Sequence, residues 1–289
     1  MVSKVDLAIQ KVFDNDLESM LKSNLVKGNL CCTKYDKQII GGGDTVKMIY
    51  GGDVTLETYD PAAGVTYNPI DISTDEIKID QQASVAFFFN ALEQLQLEGN
   101  LAKSILDEKL VRTAYAFKKH IETNLSTLYA KAGILYAAST ATGGLAGTGL
   151  QLTVSNVEQF LIDMQVKFDE ANVQDEGRYA CLPPWVIGML TGATSNDYTE
   201  SGVKHRKNGF AGEYAGFQIY KDNNIFNDAT NYYPLFGIDG VSMALATQKK
   251  PQVTDASRPN FHELAKKLLM VYGFGAPRTD QLGTAKIIK

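Results

Sequence analysis

Apolar residues recur along this chain with two different periods, and the changes of period divide it. Val5, Ile9, Val12, Phe13, Leu17, Met20, Leu21 and Leu25 share one helical face opposite Lys, Asp and Glu. This predicts an amphipathic N-terminal helix, ended by Lys27-Gly28-Asn29, with Gly41-Gly42-Gly43 as a hinge. Its polar face mixes both signs of charge, so packing on protein is favoured over lying on a membrane surface. From 45 to 90 the period is two: 45–50 reads as a strand, Val54 and Leu56 alternate with Thr55 and Glu57, and Ile77 and Ile79 alternate with Glu76, Lys78 and Asp80. Asp60-Pro61-Ala-Ala-Gly64 supplies the turn between them. Two arms of about a dozen residues, at about 3.3 Å each, give a hairpin reaching roughly 40 Å. A two-stranded ribbon of that length is not stable alone and calls for a partner surface.

After Ala91 the helical period returns. Leu92 and Leu95 lead to a break at Gly99, and then Leu101, Ile105, Leu106, Leu110, Ala114, Phe117, Ile121, Leu125 and Leu128 keep one face. This predicts a helix of about 33 residues, roughly 50 Å at 1.5 Å per residue, well beyond the usual three or four turns. Strict heptads are not kept, which favours a spine lying on a sheet over a coiled coil. The small, glycine-rich run 133–149 reads as a linker; its glycines lack the spacing of a phosphate-cradling loop.

The central stretch opens on Ser155-Asn-Val-Glu158, a capping-box spacing, and Val157, Phe160, Leu161, Met164, Phe168 and Ala171 follow as the buried face of a helix. Asn172 to Gly177 reads as its stop, Arg178-Tyr-Ala-Cys-Leu182 as a strand, and Pro183-Pro184 as the start of a turn. Later come Gly212-Glu-Tyr-Ala-Gly216-Phe217-Gln-Ile219-Tyr220 and Asn223-Asn224-Ile225. Strands are predicted at 241–246, 266–272 and 284–288.

Composition then narrows the function. With 289 residues, 44% of them hydrophobic, the chain can bury a sizeable core. A net charge of −5, from 28 basic and 33 acidic residues, argues against a dedicated nucleic-acid binder. Cys31, Cys32 and Cys181 form no disulfide or metal framework and read as free thiols of a reducing cytoplasm. Neither a signal peptide nor a membrane span is expected. His120, His205 and His262 have no ligand spacing, no nucleophile elbow or dinucleotide fingerprint is present, and Glu176 beside Arg178 reads as a surface pair. No catalytic residue, cofactor or metal is expected.

Charge is distributed unevenly. Between Gly51 and Ile77 lie Asp53, Glu57, Asp60, Asp71, Asp75 and Glu76 with no Lys or Arg. This is either a solvated acidic hairpin or an arm that seeks a basic patch. The densest basic run is Lys204-His205-Arg206-Lys207, a solvated loop tip or a contact with phosphate or an acidic neighbour.

The order helix, Gly-Arg, strand ending in Leu-Pro-Pro, then Gly-x-x-x-Gly-Phe-x-Ile-Tyr leading into Asn-Asn-Ile, resembles the middle of tailed-bacteriophage major capsid proteins of the Hong Kong 97 type. The apolar run at 240–246 and Tyr272-Gly273 followed by Ala276-Pro277 extend the resemblance. It implies an α+β fold with an N-terminal arm (1–43), an extended loop (44–90), a peripheral domain carrying the spine (91–134 and 247–289) and an axial domain (135–246). It implies pentamers and hexamers in an icosahedral shell around double-stranded DNA. It further implies scaffolding, portal and decoration proteins as partners, location in the virion, and assembly in the host cytoplasm. Members that crosslink covalently use a lysine on this loop, and here the hairpin from Gly51 to Ile77 has none. The expected inter-subunit contacts are Asp53, Glu57, Asp60 and Asp71 of the hairpin against Arg112, Lys118 or Lys119 of a neighbouring spine. Lys204, Arg206 and Lys207 are further contact candidates. The competing readings are a nanocompartment of the same fold, another virion structural protein, or a soluble enzyme of unrecognised type.

Overall fold

The computed structural model describes residues 25–35, 45–51, 72–90, 100–137, 145, 147–193, 210–256 and 263–289. The predicted N-terminal helix, the 41–43 hinge, the outer hairpin with its turn, and the 204–207 run lie outside them.

β1 (Thr45–Gly51) pairs antiparallel with β2 (Ile72–Lys78), residue by residue from Thr45↔Lys78 to Gly51↔Ile72. The two strands are the root of the predicted hairpin. Two residues later β3 (Gln81–Asn90) begins and joins a three-stranded antiparallel sheet in the order β12-β13-β3, with β12 at Ala244–Ala256 and β13 at Glu263–Gly275. β12 therefore starts three residues later than the period suggested, because 239–241 form a turn after β11 (Leu235–Ile238).

The long helix is α1 (Asn100–Ser126), 27 residues or about 40 Å, continued by a 3-10 turn at Thr127–Lys131. Ala114, Phe117, Ile121, Leu125 and Leu128 are buried. They pack with Leu268, Met270 and Tyr272 of β13 and with the half-buried Ala83, Val85 and Phe87 of β3. The alternation in β3 is strict: 81, 83, 85 and 87 are half-buried while 82, 84, 86 and 88 are exposed. A single helix covering one sheet face needs one apolar stripe, which explains why heptads were not kept. Asn124 Nδ2 ties the two layers by donating to the Tyr272 hydroxyl (2.7 Å) and to Gln81 Oε1 (3.1 Å).

A second core lies between α2 (Val157–Glu170), α3 (Pro184–Ala193) and a six-stranded sheet ordered β4-β14-β11-β6-β8-β7. Here β4 is Ile134–Tyr136, β6 Arg178–Leu182, β7 Phe210–Tyr214, β8 Phe217–Lys221 and β14 Gly283–Ala285. All five residues of β6 are buried, as a strand with neighbours on both edges and cover on both faces requires. The β7–β8 turn places Ala215 and Gly216 at φ 48° and 70°, the left-handed pair of a tight hairpin. A four-stranded sheet, β5-β15-β10-β9, completes the order (Leu150–Gln151, Ile287–Ile288, Asn231–Tyr233, Phe226–Asn227).

Four local expectations are corrected. The capping box does not form: the residue preceding α2 is Asn156, whose Oδ1 accepts from the Thr153 amide, while Ser155 Oγ meets Thr153 Oγ1. Ala171 is exposed beyond the helix end. Pro184 opens a helix instead of a turn, since a missing N–H and a fixed φ suit the first helical position. The 133–149 linker contains β4, recruited in parallel by the closing strand β14.

A third, small core sits under the hairpin root: Cys32, Val46, Met48, Ile77, Ala244 and Ala246. Gly273 and Gly275 of β13 let the root sit against the sheet; a Cβ on Gly273 would overlap the Lys78 carbonyl and lie 3.1 Å from Ile77 Cγ2. Backbone cannot give way there, so Gly273→Ala is expected to cost about 1–3 kcal/mol in urea unfolding of the chain. Wild-type stability in that variant would show that the root is not seated on β13.

Candidate assembly surfaces

Three of the predicted contact residues fall on described structure, all on α1. Arg112 is exposed, its Nε (2.9 Å) and Nη2 (2.6 Å) donating to Glu108 Oε1 one turn earlier. Lys119 is exposed and Lys118 half-exposed. Val111 and Tyr115, 51% and 62% exposed, share this outward side of the helix. The spine thus turns a mixed basic and apolar surface away from its own sheet. Asp53, Glu57, Asp60, Asp71, Lys204, Arg206 and Lys207 lie outside the described residues. At the root, Lys47 and Glu76 form an exposed pair at 3.8 Å, worth little.

Sequence reasoning missed the most heavily built charged site. Lys27, read only as a helix stop, is fully buried. Its ammonium contacts Asp222 Oδ2 at 2.5 Å and donates to Ser126 Oγ (2.6 Å) and to the carbonyls of Glu122 (3.1 Å) and Asn224 (3.0 Å). The Glu122 carboxylate, 3.7 Å from the ammonium, accepts the amides of Val26 (2.7 Å), Lys27 (3.2 Å) and Gly28 (3.4 Å). It therefore terminates the free amides of the 3-10 turn Lys27–Asn29, as an N-cap would, but from a different element. Asp222 Oδ1 in turn accepts the Asn224 amide at 2.8 Å. The signal available was Glu122 itself, beside Ile121 and one turn before Leu125, on the flank of an otherwise apolar stripe.

A second charged group stabilises the turn between α2 and β6. Arg178 is 2% exposed, not at the surface, and does not pair with Glu176. Its guanidinium lies over the Phe168 ring at 5.7 Å and donates to the carbonyls of Val173 and Gln174 and to Asp169 (2.7 Å), with Asp175 at 2.8 Å. This holds a turn whose Asn172 and Gly177 sit at φ 54° and 77°.

Other chemistry is sparse. A recess of about 200 Å³, lined by Cys32, Lys34, Tyr35, Met48, Val241 and Arg278 among others, has no carboxylate or histidine in its walls. Burial raises the Cys31 and Cys181 thiols far above their ordinary value, so both are inert. Among the described residues no metal-binding group of side chains occurs, and no helix is long and apolar enough to cross a membrane.

No protein-family model and no curated protein matches the sequence. Solved structures do. A chain of Mycobacterium phage Che8 superposes with a TM-score of 0.68 at 17% identity, covering 90% of both chains. The capsid of cyanophage P-SCSP1u gives 0.67 at 15% identity, over 90% of this chain and 87% of that one. A virus-like particle from Pyrococcus furiosus gives 0.58 at 9% identity, over 96% and 99%. The chain has the Hong Kong 97 capsid fold.

The electrostatics of the buried cluster give a measurable consequence. Desolvation raises the Glu122 pKa above the usual carboxylate range; Lys27 opposes this and Asp222 adds to it. The folded state then holds a proton that the unfolded state releases, so this stabilisation is complete at acidic pH. It is lost as pH rises from the ordinary carboxylate pKa through the raised one. Glu122→Gln should lack that pH-dependent step, so the stability gap between variant and wild type should narrow as pH increases across the window. A constant gap would contradict the assignment.

Proposed function

We propose that this chain is a major capsid protein of tailed-phage type, a non-enzymatic subunit that assembles as pentamers and hexamers into an icosahedral shell enclosing double-stranded DNA. The observation that carries this is the match of the fold over nine-tenths of the chain to structures named as phage capsids. The hairpin adds support of a different kind. Its root is packed into the subunit through Val46, Met48 and Ile77, and the sequence beyond it alternates without a core of its own. Such an element gains its partner surface from another copy.

In this reading residues 1–43 are the arm, 44–90 the extended loop, 91–134 with 247–289 the peripheral domain, and 135–246 the axial domain. The acidic hairpin, through Asp53, Glu57, Asp60 and Asp71, lies against Arg112, Lys118 and Lys119 of a neighbouring spine. Lys204, Arg206 and Lys207 make further contacts between subunits. Many weak contacts of this kind, repeated by symmetry, sum to a stable closed shell. Scaffolding, portal and decoration proteins would be separate chains, DNA would meet the inner face without sequence preference, and assembly would take place in the host cytoplasm.

A second reading, a protein nanocompartment of the same fold, is favoured by the likeness to the Pyrococcus furiosus virus-like particle, which spans 99% of that chain. Electron microscopy of the expressed chain, alone and with its neighbouring genes, tests both. Closed shells that take up DNA support the capsid, closed shells that do not support the compartment, and a persistent monomer overturns both. Charge reversal of Asp53, Glu57 and Asp60 together is expected to abolish shells at low salt and leave the circular dichroism of the subunit unchanged. Shells that form as before would refute the hairpin contact.

A further inference from the structure

We infer that the buried Lys27 site is a conformational latch, one ammonium holding the N-terminal segment, the C-terminal half of the spine and the turn after β8 in a single state that opens as a unit. The chain runs out of this site at Leu25 toward the N-terminus, so any displacement of the preceding residues acts first on Val26, whose amide is held by Glu122.

Two kinds of attachment hold the segment. Residues 30–32 are joined to the fold by backbone bonds: Gly240 N to Leu30 O (3.0 Å), Cys32 N to Met243 O (2.8 Å) and Leu245 N to Cys32 O (3.2 Å). Residues 26–28 have their hydrogen bonds to distant parts of the fold at the charged site, while Leu25 and Val26 pack on the core under the spine. The same ammonium reaches Ser126 on α1 and Asn224 after β8, and Ser126 Oγ itself donates to the Asn224 carbonyl. Asp222 is fixed to the end of β6 by its amide, which donates to Leu182 O at 2.9 Å. Three segments distant in sequence therefore share one cation.

The charge balance makes this arrangement two-state. With Lys27 in place, Asp222 and Glu122 flank a cation. With Lys27 withdrawn, two adjacent carboxylates, both nine-tenths or more buried, are left without one. An uncompensated buried charge is among the costliest defects a core can carry, so a half-open site has no stable arrangement. Coupling of this kind is reciprocal: loosening the turn must loosen the segment, and the reverse. Within a shell, the latch would report the position of the arm to the spine and the six-stranded sheet. The latch itself is a property of the subunit and is tested without assembly.

Hydrogen exchange on the full chain as unassembled subunits decides the matter. Lys27→Met keeps the length of the side chain and removes the cation. Peptides covering 25–32, 118–126 and 220–226 should then exchange faster together, by roughly a hundredfold or more, while those covering α2 and β13 change little. Asp222→Asn should speed exchange at 25–32, far from it in sequence. Faster exchange confined to 25–32, or a uniform increase along the whole chain, would overturn the latch. Should Lys27→Met fail to fold, the combination K27M/E122Q/D222N, which leaves no buried charge, carries the test. The latch requires the same three segments to lose protection relative to wild type, and full protection in all three would refute it.

Discussion

One buried cation organises the meeting point of this fold. Lys27 is an unusual core residue because an ammonium gives up strong hydration on burial and regains it only if every donor finds an acceptor. Here the acceptors are supplied by Glu122 and Ser126 from the spine and by Asp222 and Asn224 from the turn after β8. The two large apolar cores, one under the spine and one under α2, meet nearby: Cys31 belongs to the first, and Leu182, whose carbonyl holds Asp222, to the second. Apolar burial supplies most of the stabilisation, but it is not directional. The charged site fixes how these parts are placed relative to one another.

The hairpin root shows the complementary strategy. Ile77 is fully buried against two glycines of β13, where the missing side chains allow backbone to approach backbone. The root itself is therefore fixed on the sheet, and the sequence that follows it, from Gly52 to Asp71, carries acids and no Lys or Arg. The outward side of the spine exposes Arg112, Lys119, Val111 and Tyr115.

Much of this was legible in the residue pattern. Period two marked β1 and β2, and a single apolar stripe marked α1 and its placement on a sheet, because such patterns reflect burial on one side only. The order of motifs from Ser155 to Ile225 pointed to the fold. What failed were positions where a local signal competes with a distant partner. The capping box lost to an Asn156 bond with Thr153, Pro184 opened a helix, and the glycine-rich linker yielded a strand once β14 lay beside it. Arg178 was read as a surface residue and Lys27 only as a helix stop, since a charge alone carries no sign of burial.

By itself, then, the sequence determined most of the helices and strands, since each depends on residues a few places apart. Only the tertiary structure decided where the charges went. Lys27, Glu122 and Asp222 are far apart along the chain, and nothing local distinguishes a lysine bound for solvent from one whose counter-charges arrive through folding.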